Sequence, residues 1–167
     1  MVTAVPVAIH DRDWKRTAAG RMFNHKFGYG NLDAYALVEA TKDFKLLGTQ
    51  TFFYPPVVTL DERIPYGNEG ISSVLTVTAD DLTAPSVKLG TLEHITVTVN
   101  IKHQKRGDVE VILTSPNQVE SRLGARRRFD VSTHGFVNWT FMSVKHWYVQ
   151  YDCMVLALSG ILTEMGY

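Results

Sequence analysis

The stretch "LEHITVTVNIKH" alternates without a break: Ile95, Val97, Val99 and Ile101 fall on one side, Thr96, Thr98, Asn100 and Lys102 on the other. A period of two is that of a half-buried β-strand. "VEVILTSP" repeats the pattern with Val109, Val111 and Leu113. Between them "KRGD" (Lys105 to Asp108) reads as a hairpin turn, Gly107 supplying a positive φ, so the two strands are predicted to pair. "SPNQ" turns the chain again, and "VESRLG" is a third short strand. Upstream, "TQTFFY" is strand-like until Pro55-Pro56 stops it, "PYGNEG" is a turn cluster, and "ISSVLTVTADD" is a further strand. In "GFVNWTFMSVKHW", Trp139, Phe141 and Ser143 alternate with Thr140, Met142 and Val144. Both faces are largely apolar, which predicts a buried core strand. Short strands separated by regular turns predict a mainly β, antiparallel sandwich.

The opening of the chain, Met1 to about Lys45, has another style. In "GYGNLDAYALVEATKDF" the positions Ala34, Leu37, Val38 and Thr41 recur at helical spacing, predicting a helix with one buried face and Asn31 as its cap. Asp33 in the first turn suits the helix dipole. "GYGNLD" is no dinucleotide fingerprint, since the third glycine is missing and no strand precedes it. The change of period puts a boundary near Lys45 to Thr49.

Composition narrows this picture only slightly. With 167 residues, 45% hydrophobic and 20% charged, the chain has ordinary globular content. Its formal net charge is +0, so no global field draws in nucleic acid or an anionic membrane. One cysteine, Cys153, rules out an intrachain disulfide. The most apolar run, "CMVLALSGIL", is about half a membrane span. The N-terminus runs from apolar to charged, the reverse of a signal peptide.

Candidate chemistry is sparse. His94, His103, His134 and His146 lack zinc-type spacing to another ligand, and "DDLTAPS" is not a calcium loop. Arg126-Arg127-Arg128 has no interleaved aromatic platform, so a solvated or ion-paired loop is preferred over a nucleic-acid patch.

Two regions carry a resemblance to the kexin and furin family of proprotein convertases. "DWKRTAAGRMFNHKFGYGNLDAYALVEATK" resembles the end of that family's catalytic domain through Trp14, Ala19, Gly20, His25, Lys26, Phe27, Gly28, Tyr29, Gly30, Asp33 and Ala34. From Leu92 to Trp147 the sequence is similar to the P domain, also called Homo B. The shared pieces are Glu-His, Arg-Gly-Asp, Leu-Thr-Ser-Pro, Arg128-Phe129-Asp130, "GFVNWTFMSV" and His-Trp. The resemblance is strongest to fungal kexins.

This resemblance implies a jelly-roll P domain that docks on a subtilisin-like catalytic domain and stabilises it. In full form the family is a secretory-pathway serine endopeptidase, at the Golgi membrane, that cleaves precursors after paired basic residues and uses calcium. It implies three parts: residues 1–45 as the end of the catalytic domain, 46–147 as the P domain, and 148–167 as a tail without the family's landmarks. The family's Asp and His would lie before Met1, and no Gly-Thr-Ser-Ala-type turn is present. No catalytic, cofactor-binding or metal-binding residue is therefore assigned, and no autonomous protease activity is expected. His25 and Arg128-Phe129-Asp130 fall at structural positions.

The alternative is a free-standing β-sandwich binding module, using Arg106-Gly107-Asp108 as an adhesion loop or an exposed apolar face. Lys105-Arg106 also reads as a dibasic cleavage site, but the hairpin turn is preferred. After Trp147 the family's closing strands are missing from the pattern, so the sandwich is expected to be incomplete at its C-terminus. Trp139, Phe141 and Val144 would be left wet, and the isolated chain would be unstable.

Overall fold

Four short strands, β1 (Ala4–Val5), β2 (Lys15–Arg16), β3 (Met22–Phe23) and β4 (Asn31–Leu32), open the chain as two antiparallel ribbons, β1 with β4 and β2 with β3. The computed structural model describes residues 4–17, 19–45, 49–60, 62, 64, 70–84, 87 and 92–146, and the backbone of 154–162. Helix α1 (Ala34–Thr41) follows, capped by the Asp33 side chain, which accepts the Ala36 N–H at 2.9 Å. The cap is thus Asp33 and not Asn31, which is committed to β4. The predicted buried face is also absent: no residue of α1 is buried, and Val38 is 60% exposed. Helical spacing reports a face that seeks a partner, and none of the described residues covers it.

Residues 49–60 hold no regular structure, so the strand expected in "TQTFFY" does not form. Two adjacent prolines remove ladder donors just where a partner strand would be needed. Next, β5 (Ile71–Val77) ends at Thr78 and helix α2 (Ala79–Thr83) begins. The switch is a capping box: the Thr78 hydroxyl accepts the Asp81 N–H, and the Asp81 carboxylate accepts the Thr78 N–H at 2.8 Å. Val77 and Leu82 are buried, with Phe53, Leu75 and Leu92 packed around them.

Strands β6 (Ile95–Ile101), β7 (Val109–Thr114), β8 (Glu120–Gly124), β9 (Phe136–Ser143) and β10 (Met154–Leu162) complete two sheets. One has the order β5-β10-β7-β8, and the other is the pair β6-β9, all antiparallel. The predicted pairing of Ile95–Ile101 with Val109–Leu113 is therefore wrong. These strands lie in different sheets, and their apolar faces meet across the sandwich: Val99 and Ile101 pack with Val109, Val111 and Phe136. A period of two marks a strand with one buried face, and two such strands can face each other as well as sit side by side.

The connection explains the choice. Arg106–Asp108 is a single 3-10 turn that carries the chain from one layer to the other. Its groups bond to the 127–132 loop instead of closing a ladder: Arg106 N–H to Ser132 O (2.8 Å), Gly107 N–H to Asp130 O (3.0 Å), and Arg127 N–H to Gly107 O (2.8 Å). Gly107 is required for this approach and not for a positive φ. A Cβ there would run into the carbonyls of Arg127 and Asp130.

The third strand is where the sequence places it, with β8 pairing β7 through Thr114↔Glu120 and Leu113↔Ser121. The "GFVNWTFMSV" stretch is a strand, β9, but not one buried on both faces. Phe136 is 1% exposed, whereas Trp139 is 42% and Met142 63% exposed. Trp147 lies outside the described residues. The apolar tail supplies β10, which runs between β5 and β7 with Leu156↔Leu75 on one side and Leu158↔Leu113 on the other.

Candidate functional site

The opening segment seats against the edge of the sandwich formed by β8 and the end of β9. The β2–β3 ribbon and the turn after it present the contacts. An Asn24↔Gly28 bridge closes that turn, and Asn24 is wholly buried. Its Oδ1 accepts the Lys26 N–H at 2.8 Å, and its Nδ2 donates to Asp11 at 3.2 Å. Trp14 stacks on Phe27, and its indole N–H donates to the Val7 carbonyl at 3.0 Å. Gly30 has a φ of 107°, and a Cβ there would strike the Val5 carbonyl. The residues of the "HKFGYG" motif thus build a small platform.

His25 is the centre of that platform. Asp13 accepts its backbone N–H at 2.8 Å and lies 3.0 Å from its Nδ1. The other ring nitrogen, Nε2, accepts the backbone N–H of Arg122 on β8 at 3.1 Å. An accepting Nε2 places the proton on Nδ1, where it is donated to Asp13. Desolvation acts to raise the Asp13 pKa, but the hydrogen bonds from His25 outweigh it and hold the carboxyl below its usual value. Around the pair, Lys26 meets Asp11 at 2.6 Å, Lys15 meets Glu120 at 3.4 Å, and the Tyr29 hydroxyl donates to Val144 O at 3.3 Å.

Lys145 and His146 lie beneath this joint. Lys145 is 1% exposed, donates to the Glu120 carbonyl, and sits 5.3 Å from the centre of the Phe23 ring. Burial, then the charge of Lys15, lowers its pKa. His146 is also buried, and neither ring nitrogen has a hydrogen-bond partner among the described residues. Burial, helped by the Lys145 charge, pushes its pKa down to about 4. Neither residue's burial was readable from the sequence. The one signal was their place after the apolar run of β9.

A second polar centre fixes the layer crossing. Asp130 receives Arg106 through Nε at 2.7 Å and through a terminal nitrogen at 3.1 Å, and Arg127 through Nε at 3.1 Å. These donors, the Arg106 bond foremost, hold the Asp130 carboxyl at about 2. Arg106 also lies over Trp139, 5.2 Å from the ring centre, and Arg127 over Phe136. An adhesion loop needs a free Arg and Asp. Here Arg106 is spent on Asp130, and Asp108 pairs with Lys105 at 2.9 Å. A protease substrate must extend, yet the Lys105-Arg106 bond enters a 3-10 turn bonded to the neighbouring loop. Of the three arginines in sequence, Arg127 is ion-paired and Arg128 lies over Phe129.

Calcium takes six to eight oxygen ligands. No group of three or more His, Cys, Asp or Glu among the described residues is arranged to hold a metal ion. The best carboxylates, Asp11, Asp13 and Asp130, already face Lys26, His25 and the two arginines. The described residues therefore offer no cluster of free carboxylates for calcium. His103 and His134 border one shallow cleft of about 440 Å³ with Lys102, Gln104 and Thr133, a lining without carboxylates.

Both the sequence and the fold of this chain have known counterparts. The sequence model of the Proprotein convertase P-domain matches residues 92–152. A serine protease of Aeromonas sobria shares the fold, with a TM-score of 0.63 over 92% of this chain and 27% of that one, at 20% identity. The chain therefore carries a P domain. The "Dibasic-processing endoprotease" of Yarrowia lipolytica is 44% identical over 147 residues, and the "Kexin" of Saccharomyces cerevisiae is 39% identical over 137. These alignments cover 88% and 82% of this chain but only 15% and 17% of the relatives' lengths. "Proprotein convertase subtilisin/kexin type 7" of Mus musculus is 33% identical over 145 residues. The chain belongs to the kexin-like proprotein convertases.

Proposed function

We infer that this chain is the clamping part of a kexin-like serine endopeptidase that processes secretory precursors at paired basic residues. Residues 1–45 are the end of the subtilisin-like catalytic domain and 46–147 are the P domain. The strand at Met154–Leu162 joins β5 to β7 within the larger sheet. The observation that carries the reading is the joint at His25. One ring binds Asp13 within the opening segment and the Arg122 N–H within the sandwich, so each part orders the other. The clamp itself does no bond-breaking. It stabilises by making the end of the catalytic domain rigid against a β-sheet edge. Calcium, which the family resemblance implies, would be held elsewhere in the full-length protein. Location in the secretory pathway, and more finely at the Golgi membrane, is what the family resemblance implies; no helix among the described residues is long and apolar enough to cross a membrane.

The test is co-expression of this chain with a kexin-type catalytic domain that lacks its P domain. Recovery of soluble, Lys-Arg-cleaving enzyme is expected. Recovery no greater than that given by an unrelated β-sandwich would overturn the reading.

A further inference from the structure

Asn138-Trp139-Thr140 is an Asn-Xaa-Thr triplet with no proline at its centre, the acceptor pattern for N-linked glycosylation. We propose that Asn138 is an N-glycosylation site on the open face of the β6–β9 sheet. The inference rests on the secretory reading given above, because the transfer takes place only in the secretory lumen.

The geometry separates this triplet from a chance match. Asn138, Trp139 and Thr140 are all exposed. The β6–β9 register shifts between Val99 and Ile101, so the chain bulges at Asn138, which has a φ of 48°. Asparagine tolerates that left-handed backbone, and the bulge lifts it out of the ladder. Its backbone N–H is satisfied by Asn100 Oδ1 at 2.7 Å. Its own carboxamide makes no hydrogen bond to any described residue. The conformation therefore uses the Asn138 backbone and leaves Nδ2 free. Strand alternation puts Thr140 on the same outer face, beside Thr98, whose hydroxyl lies 2.8 Å away. Trp139 turns the other way, toward Phe136 and Arg106, and so does not screen the acceptor.

The donor class is a lipid-linked oligosaccharide diphosphate. The sugar C1–O bond to the diphosphate breaks, a C1–Nδ2 bond to Asn138 forms, and the lipid diphosphate leaves with the electron pair. The amide gives up one proton to a base of the transferring enzyme. No oxidant or reductant is involved. The attached sugar would stand over Thr96, Thr98, Asn100, Thr140 and Met142, the solvent-facing row of this sheet.

The experiment fuses the full chain behind a cleavable secretion signal, with a reporter Asn-Xaa-Thr triplet appended at the C-terminus, in a eukaryotic host. Electrophoresis before and after enzymatic deglycosylation, with peptide mass spectrometry, reads each site. Occupancy of Asn138 is expected, with conversion to Asp on release of the sugar. Asn138→Asp keeps the left-handed backbone and must lose one glycan step; Thr140→Ala must lose the same step, and Thr140→Ser must retain it. A bare Asn138 beside an occupied reporter overturns the proposal. Occupancy in the fusion, with an unglycosylated full-length protein in its native cell, supports the site and removes the secretory reading instead.

Discussion

His25 and Asp13 form a hydrogen-bonded pair, 3.0 Å from Nδ1 to Oδ2, and the far side of the ring is closed by a main-chain N–H. In a serine protease triad the nitrogen opposite the aspartate takes a serine proton. Here that nitrogen is occupied by Arg122. The purified chain is therefore expected not to cleave a Lys-Arg fluorogenic peptide. Turnover above a buffer blank that a serine-directed inhibitor blocks would refute this.

The same pair is a joint, so its loss should free the opening segment while the sandwich persists. His25→Ala removes the acceptor of the Arg122 N–H and the ring that Asp13 holds. A cost of about 1 kcal/mol is expected for the lost hydrogen bond. In hydrogen exchange, Arg122 and the β2–β3 ribbon should lose protection, with Leu113 on β7 unchanged. Equal loss at Leu113 would mean that the two parts fold as one unit.

Protonation of His146 should weaken the domain. Its pKa is near 4 in the folded chain and 6.5 in the reference state, so the unfolded chain binds the extra proton first. Stability is full above about pH 6.5 and falls as pH drops toward 4, by up to about 3 kcal/mol for this shift. His146→Phe should flatten that part of the stability profile in chemical denaturation. An unchanged slope in the variant would assign the acid sensitivity to other groups.

Asp130 works in the opposite sense. Arg106 and Arg127 hold its pKa at about 2, below the reference 3.8, so its contribution is present above about pH 3.8 and lost as pH falls toward 2. Asp130→Asn keeps the shape but removes the charge. Its melting temperature at pH 7 should be lower than that of the parent, and the gap should close near pH 2. A gap that stays constant with pH would show that shape and not charge matters there.

Val99→Asp should be severely destabilising. Val99 packs against the Val109, Val111 and Phe136 cluster, and a carboxylate there has no partner. A penalty of about 3 kcal/mol is expected, a large part of the stability of a small domain. Circular dichroism of the variant at neutral pH reads this directly; a native-like melting curve would contradict the packing.

The strands β6 and β7 are legible in the sequence because alternation reports which side of a strand is buried. It does not report which strand lies alongside, so it predicts Ile95–Ile101 and Val109–Leu113 as neighbours although they face each other. The deciding contact is the Gly107 approach to the 127–132 loop, a long-range backbone fit that no local pattern encodes. Leu37 and Val38 show a helical stripe, but a stripe carries no information about what covers it. Of the three residues expected to stay wet, Trp139 and Val144 are 42% and 38% exposed, but Phe141 is partly buried against the Val109, Val111 and Phe136 cluster. The apolar tail reads as foreign to the family pattern. Its strand partners at Leu75 and Leu113 could be found only in three dimensions.

The strand order β5-β10-β7-β8 also sets a timetable for synthesis. The ladder partner of β5 within this sheet is β10, so Ile71–Val77 leaves the ribosome long before the strand that will pair with it. Roughly 85 residues separate Val77 from Leu162, which at about 5–20 residues per second is on the order of 4–17 s. β7 and β8 can close their own hairpin within that time, since they are neighbours in the chain. For several seconds the nascent chain therefore carries one unpaired apolar strand and one finished hairpin, with an empty lane between them. Any segment that fills that lane too early is a competitor for the native strand, and a holdase bound to Ile71–Val77 would favour the correct outcome.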